Sequence, residues 1–239
     1  MTGSSAQGVN TPLYPLSAQE KGLAMTTVTP AAVSITSVTL EVADPAAAEA
    51  FCAAAFGLGT QVRFRASQVP TSGFRGFTLS LVVSQPANVD RLIGAALDAG
   101  ATVLKPAKKG LWGYGGVVAA PDGTIWKVAT SEKKNTGPAT RQIDDIVLLL
   151  GVSDVAATKQ LYTEHGLAVA KSYGRKYVEF TSQPSHVKLG LYERRALAKD
   201  AGVSPDGTGS HRIAITSTAG PFTDPDGFSW EAVSLTPAS

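Results

Sequence analysis

The groups best suited to chemistry here are three imidazoles, one thiol and a glycine-aromatic stretch. The histidines are His165, His186 and His211, and the one cysteine is Cys52. A lone cysteine rules out an intrachain disulfide and any zinc site built on several thiolates. Cys52 sits among alanines and phenylalanines on a predicted helix, with no base nearby in sequence. That is the setting of a buried inert thiol rather than a nucleophile. His165 falls at a predicted helix C-terminus, where a cation is favoured in any case. His186 opens a strand beside a Pro-Ser turn and is expected to face solvent. No Ser-His-Asp or Cys-His arrangement is legible. Gly113, Gly115 and Gly116 do not open a helix, which argues against a phosphate loop. They allow tight turning beside Trp112 and Tyr114, whose rings are either core fillers or walls of a cleft.

A repeated stretch says where acid and base groups point. Residues 120–131 and 224–234 each run from a Pro-Asp-Gly turn into an alternating strand, with Trp three residues past the glycine. Pro fixes φ, Asp bonds its own backbone and Gly accepts positive φ. Period two puts Trp126 and Trp230 on one face and Lys127 and Glu231 on the other. Recurrence near the end of each half implies an internal duplication.

Those strands need a scaffold. The chain has 239 residues, enough for two small domains. Its formal net charge of +2, with scattered basic residues, argues against nucleic acid or an anionic membrane as partner. No run is long and apolar enough to span a bilayer. Residues 1–32 are polar and aperiodic, without the basic start and apolar core of a secretory signal. They are expected to be a disordered leader, with Met25 a candidate start, and the chain reads as cytoplasmic.

Residues 35–42 alternate, with Val38, Leu40 and Val42 on one face and Ser37, Thr39 and Glu41 on the other. Asp44-Pro45 caps a helix with a stripe of Ala47, Phe51, Ala54 and Ala55, ending at Gly57. Strands at 60–66 and 76–83 precede a second helix opened by Pro86, with Val89, Ile93, Ala96 and Leu97 at helical spacing. Strand 101–105 and the glycine-rich stretch lead to the first Pro-Asp-Gly motif. A polar linker at 132–140 follows, and the pattern restarts. A strand at 143–150, a helix capped by Asp154, and strands near 167–172, 175–181 and 186–192 come next. A charged helical or irregular segment covers 193–201, and strand 211–217 leads to the second motif. Such βα units followed by strands predict an α+β fold with mixed sheets, in domains 33–131 and 141–236. The halves are incomplete in complementary ways, at 86–119 and 175–202, so they should pack on each other.

With these residues in hand, the chain resembles the glyoxalase / bleomycin resistance / extradiol dioxygenase superfamily, the vicinal oxygen chelate proteins. The matching features are the opening strand with its Asp-capped helix, Phe56-Gly57-Leu58-Gly59, His165-Gly166-Leu167, Trp112-Gly113-Tyr114-Gly115-Gly116 and the Pro-Asp-Gly-x-x-Trp strand. The resemblance implies tandem βαβββ modules whose curled mixed sheets form a cleft for a small molecule. Metal-dependent members carry ligands that correspond in the first half to Ser37, Arg75 and Lys127. A hydroxyl and two cations cannot hold a divalent metal. In the second half they correspond to Asp145, His211 and Glu231, which could hold Fe, Mn, Ni or Zn. Two functions stay open at this point. One is a binding protein without cofactor, of the sequestration or resistance type, using these six residues with Trp112 and Tyr114. The other is a lyase, isomerase or dioxygenase with one divalent metal in the second domain. A small molecule is the expected partner, and homodimerisation stays open.

Overall fold

The computed structural model describes residues 33–111, 113–181 and 187–233, which lie in one compact unit. Trp112, His186 and the leader at 1–32 lie outside the described residues. No helix among the described residues is long and apolar enough to cross a membrane.

Four segments each begin with a strand that later pairs in parallel with the segment's last strand. The first is β1 (Ile35–Val42), α1 (Pro45–Ala55) and β2 (Val62–Ala66), with β1 parallel to β2. The second is complete: β4 (Phe77–Val82), α2 (Pro86–Asp98), β5 (Thr102–Gly110), β6 (Gly113–Ala119) and β7 (Ile125–Thr130), with β4 parallel to β7. Between the two lies β3 (Thr71–Gly73). The third is also complete: β8 (Asp145–Val152), α3 (Val155–Glu164), β9 (Val169–Ser172), β10 (Tyr177–Phe180) and β11 (Lys188–Glu193), with β8 parallel to β11. A linker follows, holding α4 (Arg194–Ala201) and β12 (Gly207–Gly209). The fourth has no helix: β13 (Ile213–Ser217), β14 (Phe222–Thr223) and β15 (Ser229–Ala232), with β13 parallel to β15.

The complete second and third segments share an eight-stranded sheet, β5-β6-β7-β4-β8-β11-β10-β9. The shortened first and fourth share a five-stranded one, β14-β15-β13-β1-β2. The joints are the antiparallel pairs β4·β8 and β1·β13, so each sheet draws on both halves of the chain. A short ribbon, β12-β3, ties the two linkers together.

Local sequence explains the elements. Asp44 accepts from Ala47 N at 3.0 Å and Asp154 from Ala156 N at 2.9 Å, each filling an otherwise unpaired donor at a helix start. The buried stripe of α1 is Ala48, Phe51, Cys52 and Ala55; Ala47 and Ala54 face solvent, one residue off the expected line. In α2 Leu92 is buried where Leu97 was expected, and Leu97 is exposed in the last turn. Strand β5 runs on to Gly110 because two bulges let it keep pairing with β6.

Parity then sorts the sheets. Val38, Leu40, Ile215 and Trp230, with Leu79, Trp126, Leu148 and Leu191, join one core with the helices. Trp126 and Trp230 are 0% and 1% exposed. Trp126 packs on Phe56 at 4.9 Å, but its Nε1 has no hydrogen-bond partner. Trp230 is stacked on Phe222 and donates to the Tyr162 hydroxyl at 3.3 Å. Tyr162 in turn donates to Asp224 at 2.7 Å. The opposite faces of both sheets carry the polar residues.

Candidate cleft on the larger sheet

The polar face of the eight-stranded sheet follows from its register. Ser80 on β4 pairs with Lys127 on β7 and with Val147 on β8, which pairs with Lys188 on β11. Lys127, Ser80, Val147 and Lys188 therefore form one row across four strands. Two residues along each strand, Ala129, Val82 and Asp145 form the next row.

Helix α4 lies over the middle of this face. Leu197, Ala198 and Ala201 are buried in a second small core with Val117, Ile125, Leu149 and Phe74. Lys105 holds the helix's C-terminal end, its Nζ donating to the carbonyls of Lys199 and Asp200 at 2.6 and 2.7 Å. A cation on the last carbonyls suits the helix dipole. Arg194 fixes the other end, with Nε on Pro205 O at 3.0 Å and its guanidinium over the Phe74 ring. By sequence, the segment 193–201 reads as charged and either helical or irregular. It is a helix because Leu197, Ala198 and Ala201 share one side and find an apolar floor.

Beside α4 a cleft of about 440 Å³ stays open between β5, β6 and β7. Its floor is Gly115, Gly116, Val117 and Ala129, and its walls carry Lys105, Lys108, Lys127 and Asp200. Lys127 Nζ meets Asp200 Oδ2 at 2.6 Å. Leu111 stands at the rim, 77% exposed.

The residues expected to form a site are placed as follows. Lys127 lines the cleft. Tyr114 borders it, but its hydroxyl donates to Asp90 Oδ1 on α2 at 2.7 Å, which anchors the strand to the helix side and raises the phenol's pKa. Asp145 is on the same sheet, two strands from Lys127, and pairs with Lys188 Nζ at 2.6 Å. Ser37 is buried in β1 of the smaller sheet, with its Oγ unpartnered. Glu231 is also on the smaller sheet, where Arg65 Nη2 sits 2.9 Å from its carboxylate and 2.6 Å from that of Glu41.

Arg75 and His211 turn out to be counterparts with a structural task. Each precedes the first strand of its segment, and each clamps the Pro-Asp-Gly turn of that segment. The Arg75 guanidinium donates to Asp122 O, and His211 Nε2 lies 2.8 Å from Asp226 O. The turns close on Gly123 and Gly227, at φ +83° and +92°, where a side chain would be strained. The His211 ring also stacks on Phe228 at 3.9 Å, and its Nδ1 faces Arg75 O. Burial pushes the Arg75 guanidinium below its ordinary pKa, opposed by nearby Asp122.

The structure does not bring the expected second-half set together. Asp145 belongs to one sheet, Glu231 to the other, and both His211 nitrogens point at carbonyl oxygens. Among the described residues, no group of three His, Cys, Asp or Glu could hold a metal ion. The donor set does not fit a divalent ion. Sequence reasoning also missed Lys105, Lys108, Asp200 and Lys188. The bulges in β5 break the period-two signal that would have placed Lys105 and Lys108, and the other two depend on distant partners.

No family model matches the chain, and no curated protein matches it. Solved structures do. Glyoxalase I from Zea mays is similar at 14% identity, over 84% of this chain and 92% of that one, with a TM-score of 0.56. Two variants of the maize enzyme give TM-scores of 0.55 and 0.54, at 12% and 14% identity, over 84% of this chain and 93% and 92% of theirs. The chain has the fold of glyoxalase I.

Proposed function

We propose that this glyoxalase-fold chain binds a small organic molecule in the cleft between β5, β6, β7 and α4, without a metal, and acts by holding it. The observation that carries this reading is the fate of the three groups a metal would need. Asp145 is held by Lys188, Glu231 by Arg65, and His211 by two backbone carbonyls. A metal-dependent lyase, isomerase or dioxygenase would have to break all three contacts and bring together residues from two sheets. The cleft has the character of a ligand site: an apolar floor with a few polar groups at its edge.

A thermal-shift screen of small organic molecules in chelator tests this, because binding to the native state raises its stability. Stabilisation by a small molecule that persists in chelator, and that weakens in a Lys108→Gln variant, is expected. A protein stabilised only when divalent metal is added, and by no organic molecule in chelator, would contradict it.

A further inference from the structure

We infer that the ligand of this cleft is an organic monoanion, a carboxylate on a flat apolar body; this rests on the binding reading above. Charge is the first argument. Three lysines and one aspartate line the cleft. Lys105 is committed to the carbonyls at the end of α4 and Lys127 to Asp200. Lys108 lies opposite Gly115 and is exposed, with no ion-pair or hydrogen-bond partner among the described residues. Lys108 is the one lysine of the three left without a partner, and one negative charge would pair with it. A dianion would bring a second charge for which, beyond Lys108, the cleft lining offers only lysines already engaged.

The second argument is that the cleft already holds a carboxylate. Asp200 sits on Lys127 at its edge, an internal example of the group proposed. The third is shape. The floor stays low at Gly115, where a Cβ would come within 2.9 Å of Val128 O and 3.0 Å of the Ala129 Cβ. A planar body fits against backbone there, between Val82, Val117 and Pro106, with Leu111 at the rim. A carboxylate on that body reaches Lys108 directly and competes with Asp200 for Lys127.

Three probes sharing one ring system separate the terms: 2-naphthoate, neutral 2-naphthamide and dianionic 2-naphthyl phosphate. Each is titrated into the full chain by calorimetry, with amide chemical shifts locating the site. Naphthoate is expected to bind most tightly and to shift Gly115, Lys127 and Ala129. Asp200→Asn should tighten naphthoate by about twofold to fivefold, the scale of one partly exposed charge pair, and leave naphthamide unchanged. Lys108→Gln, on an exposed side chain with no contacts to lose, should weaken naphthoate by a similar factor. Equal binding of naphthamide, or tighter binding of the phosphate, would overturn the monoanion while leaving the cleft as the site. No shift at the cleft with any of the three would overturn both.

Discussion

Replacing His211 by alanine separates a structural clamp from a ligand-binding residue. The variant loses the Nε2 contact to Asp226 O, the Nδ1 contact to Arg75 O and the ring stack on Phe228. A hydrogen bond is worth about 0.5–1.5 kcal/mol net, and a neutral ring donates to one of the two carbonyls at a time. The ring contact adds about 0.5–1.5 kcal/mol. The expected cost is therefore about 1–3 kcal/mol. Urea unfolding at neutral pH reads it as a lower midpoint with an unchanged slope. Affinity for a cleft ligand should not change, because the ring belongs to the smaller sheet's side. A loss below about 0.5 kcal/mol, within the range of an ordinary surface change, would refute the clamp. So would a large loss of ligand affinity without a loss of stability.

The two tryptophans should respond differently to Phe. Trp230→Phe loses the bond to Tyr162, whereas Trp126→Phe removes an N–H without a partner, so the second should cost about 1 kcal/mol less by chemical denaturation. Burial pushes the Cys52 thiol up to about 12, so it should resist thiol reagents until the chain unfolds. The unfolded chain releases that proton first, near 9, so stability should fall as pH rises from there toward 12, with Cys52 contributing at most about 1.4 kcal/mol per unit; Cys52→Ala should lessen the slope and leave the part due to Tyr162, Tyr177 and Tyr192, whose pKa values burial also raises. Residues 33–131 and 141–236 expressed apart should aggregate or fail to melt cooperatively, because each would expose the partner edges of β4·β8 and β1·β13. Two soluble fragments with their own sharp transitions would contradict that.

Local pattern carried much of this fold. The faces of Trp126 against Lys127, and of Val38 against Ser37, follow from period two, and the two turns from Pro, Asp and Gly in order. The helix caps at Asp44 and Asp154 are equally local. The site was harder to read, because its facts are distant pairings. Lys188 reaches Asp145 across 43 residues and Arg65 reaches Glu231 across 166. Nothing near Asp145 or Glu231 in sequence shows that each is already matched by a cation. Helix α4 is the other example. Its charged outer side hides a three-residue apolar side, and only the facing sheet gives that side a destination. Arg212 shows a local rule broken. It is the one non-glycine residue with positive φ among those described, at +53°, where the first half has Gly76 at +84°.

The most direct test of a metal-independent cleft is the metal content of the chain purified in unchelated buffer, measured beside Glu231→Ala. Arg65 holds the Glu231 carboxylate and Asp145 lies on the other sheet, so Fe, Mn, Ni and Zn should each be well below one per chain and unchanged by the substitution. Near-stoichiometric metal that disappears in Glu231→Ala would contradict the account and establish the metal-dependent alternative.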